Sequence, residues 1–317
     1  MSSINHTGIV LITGKSHPIL VAGLQKAGYT VMDRPQITQQ EAQEVIAGCS
    51  GLVLTTRIKA NRPLLEKATS LKWIGRLGSG MELIDTEFAA QKNIYCFSSP
   101  EGNRLAVAEH ALGMILGLLH KIASADRQMR NKIWLRDENR GTELSGKTVG
   151  IIGYGNTGSE LARLLAPFHV RILAFDRFKN GFAAGAVQES TLTAIQEQAD
   201  VISMHVPLTD LTHEMLNTAF FQRLKKKPLL INTARGQLLK LPDLIQALDS
   251  GAIRGAALDV LPNESLQHFS VIENEQLVSL ASLDNVLLTP HIAGYSYESF
   301  ERMATVLLEK LGLPIVF

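Results

Sequence analysis

At 317 residues and 34.6 kDa the chain is long enough for two ordinary domains, each with its own core. With 45% hydrophobic and 19% charged residues the composition is globular, and a formal net charge of +1 argues against a general binder of nucleic acid or of an anionic membrane. The two cysteines, Cys49 and Cys96, have neither metal-ligand spacing nor a disulfide framework, so no metal is expected and both read as small core residues.

The first apolar run, Gly8 to Ile12, is of strand length, too short for the core of a signal peptide and preceded by no charged region. A reduced, cytoplasmic setting is the expectation. Ile9–Thr13, Thr30–Asp33, Gly51–Thr55, Leu71–Arg76 and Ile94–Phe97 read as strands, with helical periodicity between them at Ile19–Ala27 and Arg62–Ala68. Such alternation predicts a parallel sheet with crossover helices. Pro100 and Gly102 are expected to break the chain before one long helix, about Leu105 to Met129, which is a candidate dimer surface or a core helix. Its apolar stretch Ala111–Leu119, bounded by His110 and His120, is too short to span a bilayer. A polar linker, Arg136 to Ser145, follows.

Next comes Gly153-Tyr154-Gly155-Asn156-Thr157-Gly158, directly after the apolar run Val149–Ile152, with Asp176 closing the following run. This is the G-x-G-x-x-G turn of a dinucleotide site in its informative context. The first glycine permits the turn, the second lets backbone approach a pyrophosphate, and the third lets helix pack on strand. Free N–H groups at the helix start attract the phosphates. Asp176 suits a ribose diol and repels a 2′-phosphate, favouring NAD over NADP; the neighbouring Arg177 is read as lying over the adenine or in solvent.

Further strands are expected at Arg171–Phe175, Val201–Met204, Leu229–Asn232, Gly255–Leu258 and Val286–Leu288. Unusual residues recur just past them: Asp176, His205-Val206-Pro207, Thr233-Ala234-Arg235-Gly236, Asp259 and Thr289-Pro290-His291. In an open parallel sheet all of these meet at the carboxyl edge, where ligands bind. Arg235 offers a planar, permanently charged fork for a carboxylate and a developing alkoxide. His291 is the natural proton carrier near neutral pH, and Glu264 can orient its ring and favour its charged form. Taken singly, each has a bland alternative: a surface arginine, a satisfied loop histidine like His6, His17, His169, His213 and His268, and a glutamate in a solvated turn. Lys225-Lys226-Lys227 reads as a solvated helix end.

Gly146-Lys147-Thr148-Val149-Gly150-Ile151-Ile152-Gly153-Tyr154-Gly155, Ile231-Asn232-Thr233-Ala234-Arg235-Gly236, Ala257-Leu258-Asp259-Val260 and Thr289-Pro290-His291-Ile292-Ala293-Gly294 together resemble the D-isomer-specific 2-hydroxyacid dehydrogenases, and within them the D-3-phosphoglycerate dehydrogenases. The resemblance runs from about Gly51 to Gly294. It implies an α/β protein of two Rossmann-like or flavodoxin-like domains: an NAD-binding, doubly wound parallel sheet (102–294) inserted into a split substrate-binding domain (1–101 and 295–317). It also implies a homodimer formed through the nucleotide domains, an interdomain active site and hinges near Pro100 and Gly294.

By position, the resemblance gives Arg235, Glu264 and His291 catalytic roles. It assigns NAD contacts to Ser79, Gly153, Gly155, Asn156, Thr157, Gly158, Asp176, His205, Val206, Pro207, Thr233, Ala234, Arg235, Asp259, His291 and Gly294. Substrate contacts fall to Ser79, Gly80 and Arg235, while Arg57 and Lys59 either meet a substrate phosphate or are solvated loop charges. Met81-Glu82-Leu83-Ile84-Asp85 departs from the family's usual Val-Asp-Asn-Ile-Asp and puts the substrate side in question. The chain ends soon after His291, which implies a short form without a regulatory domain. The expected partner is a small 2-hydroxy or 2-oxo acid. Alternatives are a glyoxylate or hydroxypyruvate reductase and a dinucleotide-sensing, corepressor-like protein; formate dehydrogenases pair their histidine with glutamine, where Glu264 stands here.

Overall fold

The computed structural model describes residues 7–316, so His6 lies outside the described residues. The chain divides into two compact units, Met1–Arg104 with Gly294–Phe317, and Leu105–Ala293. In the first unit, strands β1 (Gly8–Ile12), β2 (Tyr29–Asp33), β3 (Cys49–Leu54), β4 (Trp73–Arg76) and β5 (Tyr95–Ser98) form one parallel sheet in the order β2-β1-β3-β4-β5. In the second, β6 (Thr148–Ile152), β7 (Arg171–Phe175), β8 (Val187–Glu189), β9 (Val201–Met204), β10 (Leu229–Asn232), β11 (Gly255–Leu258) and β12 (Val286–Leu288) form a seven-stranded parallel sheet, β12-β11-β10-β9-β6-β7-β8. The expected α/β class and doubly wound sheet are therefore present. β8 is the strand absent from the sequence reading: three residues long, with only Val187 partly covered, it carries no usable alternation.

Both sheets are covered on both faces, which is why their strands read as near-continuous apolar runs. In the first unit Val10, Ile12 and Val53 join one core with Leu20, Leu24, Met303, Leu307 and Leu308, while Leu11, Leu52 and Leu54 join the other. The period-2 alternation of a strand thus divides each run between two cores. It also explains why the last helix, Tyr297–Lys310, belongs to the first unit: its buried stripe closes one face of that sheet. In the second unit Val149, Ile151, Leu229 and Ile231 pack with Ala108, Ala111, Met114, Ile115 and Leu119, whereas Leu230, Ile202 and Met204 face the opposite core.

The expected single helix over Leu105–Met129 is two. Pro100–Leu119 and Ile122–Arg130 meet at a 63° bend, with Lys121 in the left-handed region at φ 54° between them. A side chain is strained there, so the helix cannot run on. Pro100 begins the first helix rather than breaking the chain before it, because a first-turn proline forfeits no helical hydrogen bond. Gly102 lies inside that helix, where a Cβ would come 2.6 Å from the Met303 backbone. The apolar face of Pro100–Leu119 supplies core, while Ile122, Met129, Ile133 and Trp134 beyond the bend are exposed. Among the described residues no single helix is long and apolar enough to cross a membrane, and no cluster of His, Cys, Asp and Glu suits a metal ion.

Candidate active site

The parallel register brings the carboxyl ends of β6, β7, β9, β10, β11 and β12 to one edge, and hydrogen bonds join their loops in sequence. Gly153 N–H donates to Phe175 O at 2.8 Å, His205 N–H to Ile152 O at 2.7 Å, Asp259 N–H to Asn232 O at 3.0 Å and Thr289 N–H to Leu258 O at 3.0 Å. Gly153, Asp176, His205, Arg235, Asp259 and His291 therefore do share this edge. The strand order relative to β6 places it at the switch point between β6 and β9, where the direction of winding reverses.

Each glycine of the turn meets a different constraint. Gly153 has φ 96°, and a Cβ on it would lie 2.6 Å from the His205 backbone; a Cβ on Gly158 would lie 2.1 Å from Gly153 O. At Gly155 a Cβ meets nothing in the protein. Gly155 is also the N-cap of helix Asn156–Leu165 and provides no side-chain cap for its first N–H groups. Open space over uncapped donors is what a pyrophosphate requires. Thr233, buried at the end of β10, adds an Oγ1 with no hydrogen-bond partner among the described residues. These features fit a dinucleotide.

Asp176, expected from the sequence to meet the ribose, holds the turn. Its Oδ2 accepts from Tyr154 N–H at 2.8 Å, and Oδ1 accepts from Phe178 and Lys179 N–H at 2.9 and 3.1 Å. Oδ1 is filled by its two bonds, while Oδ2 keeps acceptor capacity beyond its one. Arg177 beside it is exposed. His205 is fully engaged inside the protein: Nε2 bonds Ser203 Oγ at 2.9 Å and Nδ1 bonds Thr157 Oγ1 at 3.1 Å. Burial pushes its pKa down to about 4, since a charged ring there would lose its hydration. The ring thus fixes Thr157 in the first turn of the helix. Val206 is half-buried and Pro207 exposed in the loop that follows.

Arg235, Glu264 and His291 lie in the segments after β10, β11 and β12. His291 Nδ1 and Glu264 Oε2 are 2.8 Å apart. That hydrogen bond is the main cause of a raised His291 pKa; burial opposes it, the Glu264 and Asp259 charges add to it and the Arg235 charge subtracts. Arg235 therefore lies within electrostatic reach of the ring. It is seated by Asn232, whose Nδ2 donates to Arg235 O at 2.9 Å and whose Oδ1 accepts from Ala234 N–H at 3.1 Å. Arg235 Nη1 donates to Ala234 O at 2.6 Å.

Asp259 is buried beneath the loop that carries His291 and organises it. Its Oδ1 accepts from Ile292 N–H at 2.9 Å and from Thr289 Oγ1 at 2.5 Å, and its Oδ2 from Ala293 N–H at 2.8 Å. His291 N–H donates to Asp259 O at 2.7 Å. These bonds hold His291 in the left-handed region at φ 55°, a conformation that a non-glycine residue adopts only when its surroundings impose it. His110, from helix Pro100–Leu119, completes the set with Nε2 at 3.1 Å from Thr289 Oγ1 and 3.6 Å from Asp259 Oδ1. In the sequence His110 marks only the end of an apolar stretch. A histidine interrupting a core helix was the available signal.

The other expected contacts lie in the first unit, at the carboxyl edge of its own sheet. Ser79 and Gly80 follow β4, in a loop anchored by Ser99, whose Oγ accepts from Gly78 N–H at 3.1 Å and donates to Arg76 O at 3.0 Å. Arg57 and Lys59 follow β3 and are exposed; Arg57 Nη2 donates to Gln36 O at 3.4 Å. Gly294 opens the second segment of this unit and accepts from Ser299 Oγ at 2.8 Å.

Comparison with known proteins gives the family and the fold. Residues 112–293 match the family profile described as D-isomer specific 2-hydroxyacid dehydrogenase, NAD binding domain. D-3-phosphoglycerate dehydrogenases of Homo sapiens and Methanocaldococcus jannaschii are each 32% identical to the chain, over 92% and 95% of it but only 54% and 56% of their own lengths. The chain thus spans about half the length of these relatives. Among solved structures, D-lactate dehydrogenase from Aquifex aeolicus, complexed with NAD and lactic acid, superposes with a TM-score of 0.82 at 28% identity, over 95% of this chain and 94% of that one. A D-isomer specific 2-hydroxyacid dehydrogenase from Lactobacillus delbrueckii ssp. bulgaricus, in an NAD-complexed form, gives 0.77 at 26% identity over 96% and 95%. The profile covers more than half of the sequence and ends at the His291 loop, and on that ground the chain belongs to the D-isomer-specific 2-hydroxyacid dehydrogenase family.

Proposed function

We propose that this protein catalyses reversible, NAD-dependent hydride transfer at C2 of a D-2-hydroxy acid, with 3-phosphoglycerate the first substrate to test. The observation that carries this reading is the 2.8 Å His291–Glu264 pair on the same sheet edge as Arg235 and the glycine turn. Bound NADH supplies a hydride to the carbonyl carbon of a 2-oxo acid. The carbonyl π pair then moves onto oxygen, and His291, protonated at both nitrogens, delivers its Nε2 proton there. Glu264 retains the Nδ1 side, orienting the ring and stabilising its cation. Arg235 binds the carboxylate and the oxygen on which charge develops. In the oxidative direction neutral His291 takes the hydroxyl proton.

Residues 1–101 and 295–317 form the substrate-binding domain in this reading and 102–294 the NAD domain. Ser79 and Gly80 offer backbone N–H groups, and Arg57 or Lys59 a charge for a substrate phosphate. The protein works as a homodimer in a reducing cytoplasm; the exposed Trp134 and Ile133 support the first statement and the unpaired Cys49 and Cys96 the second. The test is NADH oxidation by purified protein with a 2-oxo acid panel that includes 3-phosphohydroxypyruvate and hydroxypyruvate. Turnover of at least one is expected, and turnover of none would overturn the reading.

A further inference from the structure

The loop after β7 carries Asn180-Gly181, the only Asn-Gly step in the sequence. Both residues are exposed and lie outside every helix and strand. Gly181 sits in the left-handed region at φ 71°, and a Cβ built on it would meet nothing within 4 Å. Among the described residues no hydrogen bond engages the Asn180 side chain or the Gly181 N–H.

Such a step is open to attack by its own backbone. The Gly181 nitrogen has no Cβ beside it and a permissive backbone, so it can reach the side-chain carbonyl carbon of Asn180. A bond forms between that nitrogen and Asn180 Cγ as the Gly181 N–H proton passes to solvent, and the side-chain amide nitrogen leaves as ammonia. Water then adds to either carbonyl of the resulting cyclic imide and breaks one C–N bond. Opening on one side yields aspartate. Opening on the other yields isoaspartate, in which the main chain runs through the former side chain. One water is consumed and one ammonia released, and nothing is oxidised or reduced.

The loop is anchored on both sides of this step. Phe178 and Lys179 N–H donate to Asp176 Oδ1 at 2.9 and 3.1 Å, while Phe182 and Ala183 N–H donate to Glu189 Oε1 at 2.5 and 3.0 Å. Both anchored segments grip the glycine turn. Lys179 Nζ donates to Tyr154 O at 3.2 Å, and the Phe182 ring stacks on the Tyr154 ring with centroids 4.4 Å apart. Isoaspartate lengthens the span between the anchors by one methylene carbon. Either product also sets a carboxylate next to Lys179, where it competes with Tyr154 O for the ammonium. We propose that Asn180 is a self-modification site: it deamidates without an enzyme, and its products loosen the glycine turn and weaken binding of the dinucleotide. The modification stands on this loop alone, whereas its effect rests on the dinucleotide reading of the turn.

The test incubates the purified full chain in mildly alkaline buffer made with heavy-oxygen water, then digests it and weighs the peptides. The Asn180 peptide should convert to two acidic isomers, each carrying one heavy oxygen. Asn131 and Asn274, exposed but followed by Lys132 and Glu275, should remain amides. NADH affinity is measured in parallel on fresh and incubated protein, and on Asn180→Gln, whose longer side chain closes the ring poorly. Conversion should raise the Kd for NADH about fivefold, and the same incubation should leave that of Asn180→Gln unchanged. An Asn180 that stays intact, or converts no faster than Asn131 and Asn274, would overturn the proposal. Conversion with equal Kd in the incubated parent and variant would overturn the effect on the turn. If fresh protein binds no NADH, the dinucleotide reading falls and takes that effect with it, while the peptide masses still decide the modification.

Discussion

The two edges of the seven-stranded sheet treat buried charge in opposite ways. At the carboxyl edge Asp259 is engaged by two backbone N–H groups and a hydroxyl, and it holds the His291 loop in a conformation the loop would not adopt alone. At the amino edge Arg254 is half-buried, and its Nε and Nη2 are covered with no hydrogen-bond partner among the described residues. The first arrangement is preorganised: bonds among its own loops fix it, and the uncapped helix start lies at the same edge. The second is incomplete by itself. Most buried polar groups in a stable protein are satisfied, so the two edges differ in how completely their charges are compensated.

Substitutions at the carboxyl edge sharpen this contrast by their size. Arg235→Ala is expected to lower kcat/KM for 2-oxo acid reduction by about a thousandfold, since both carboxylate binding and stabilisation of the developing charge are lost; a change of less than tenfold would remove Arg235 from the site. Glu264→Gln should act mainly on the pH profile. His291 has a raised pKa because of Glu264, so it is protonated below that value, and reduction proceeds there and falls as pH rises through it. Without the carboxylate the alkaline limb must move to lower pH, and an unmoved limb would contradict the pairing.

Asp176→Ala should narrow the preference for NADH over NADPH, measured as the ratio of kcat/KM values. Because Asp176 also accepts three backbone N–H groups, some loss of thermal stability should accompany the narrowing. An unchanged ratio would leave Asp176 with its structural role alone.

The smallest effect concerns acid stability. His205 has a folded pKa of about 4 against an ordinary value of 6.5. Its contribution is present above pH 6.5 and lost as pH falls towards 4, at most about 3 kcal/mol over that window. His291 works in the opposite sense, its contribution being present at low pH and lost as pH rises. Urea unfolding of His205→Asn between pH 7 and 4 should show a shallower decline than the parent protein, and equal slopes would contradict the burial argument.

Much of this site was legible in the sequence because a parallel sheet converts sequence order into spatial order. Once the apolar runs at Val201–Met204, Leu229–Asn232, Gly255–Leu258 and Val286–Leu288 are read as parallel strands, the residues after each must share one edge, and the observed bounds of these four agree. Gly153 and Gly158 were readable for a similar reason, since backbone proximity leaves no alternative residue. The less legible features depend on single torsions or on partners distant in the chain. Lys121 in the left-handed region splits an otherwise continuous helical pattern. His110 bonds Thr289, which is remote in sequence and brought near only by packing. β8 is too short for any period, and the orphaned donors of Arg254 depend on how the chain packs over them.

The central claim is that His291, set by Glu264 and Asp259, carries the proton of a hydride transfer at this edge. Single-turnover oxidation of bound NADH by the best 2-oxo acid of the panel, compared between the parent protein and His291→Ala, tests it most directly. A loss of about a hundredfold or more in the chemical step, with NADH affinity unchanged, is predicted. Equal single-turnover rates in the two proteins would contradict it.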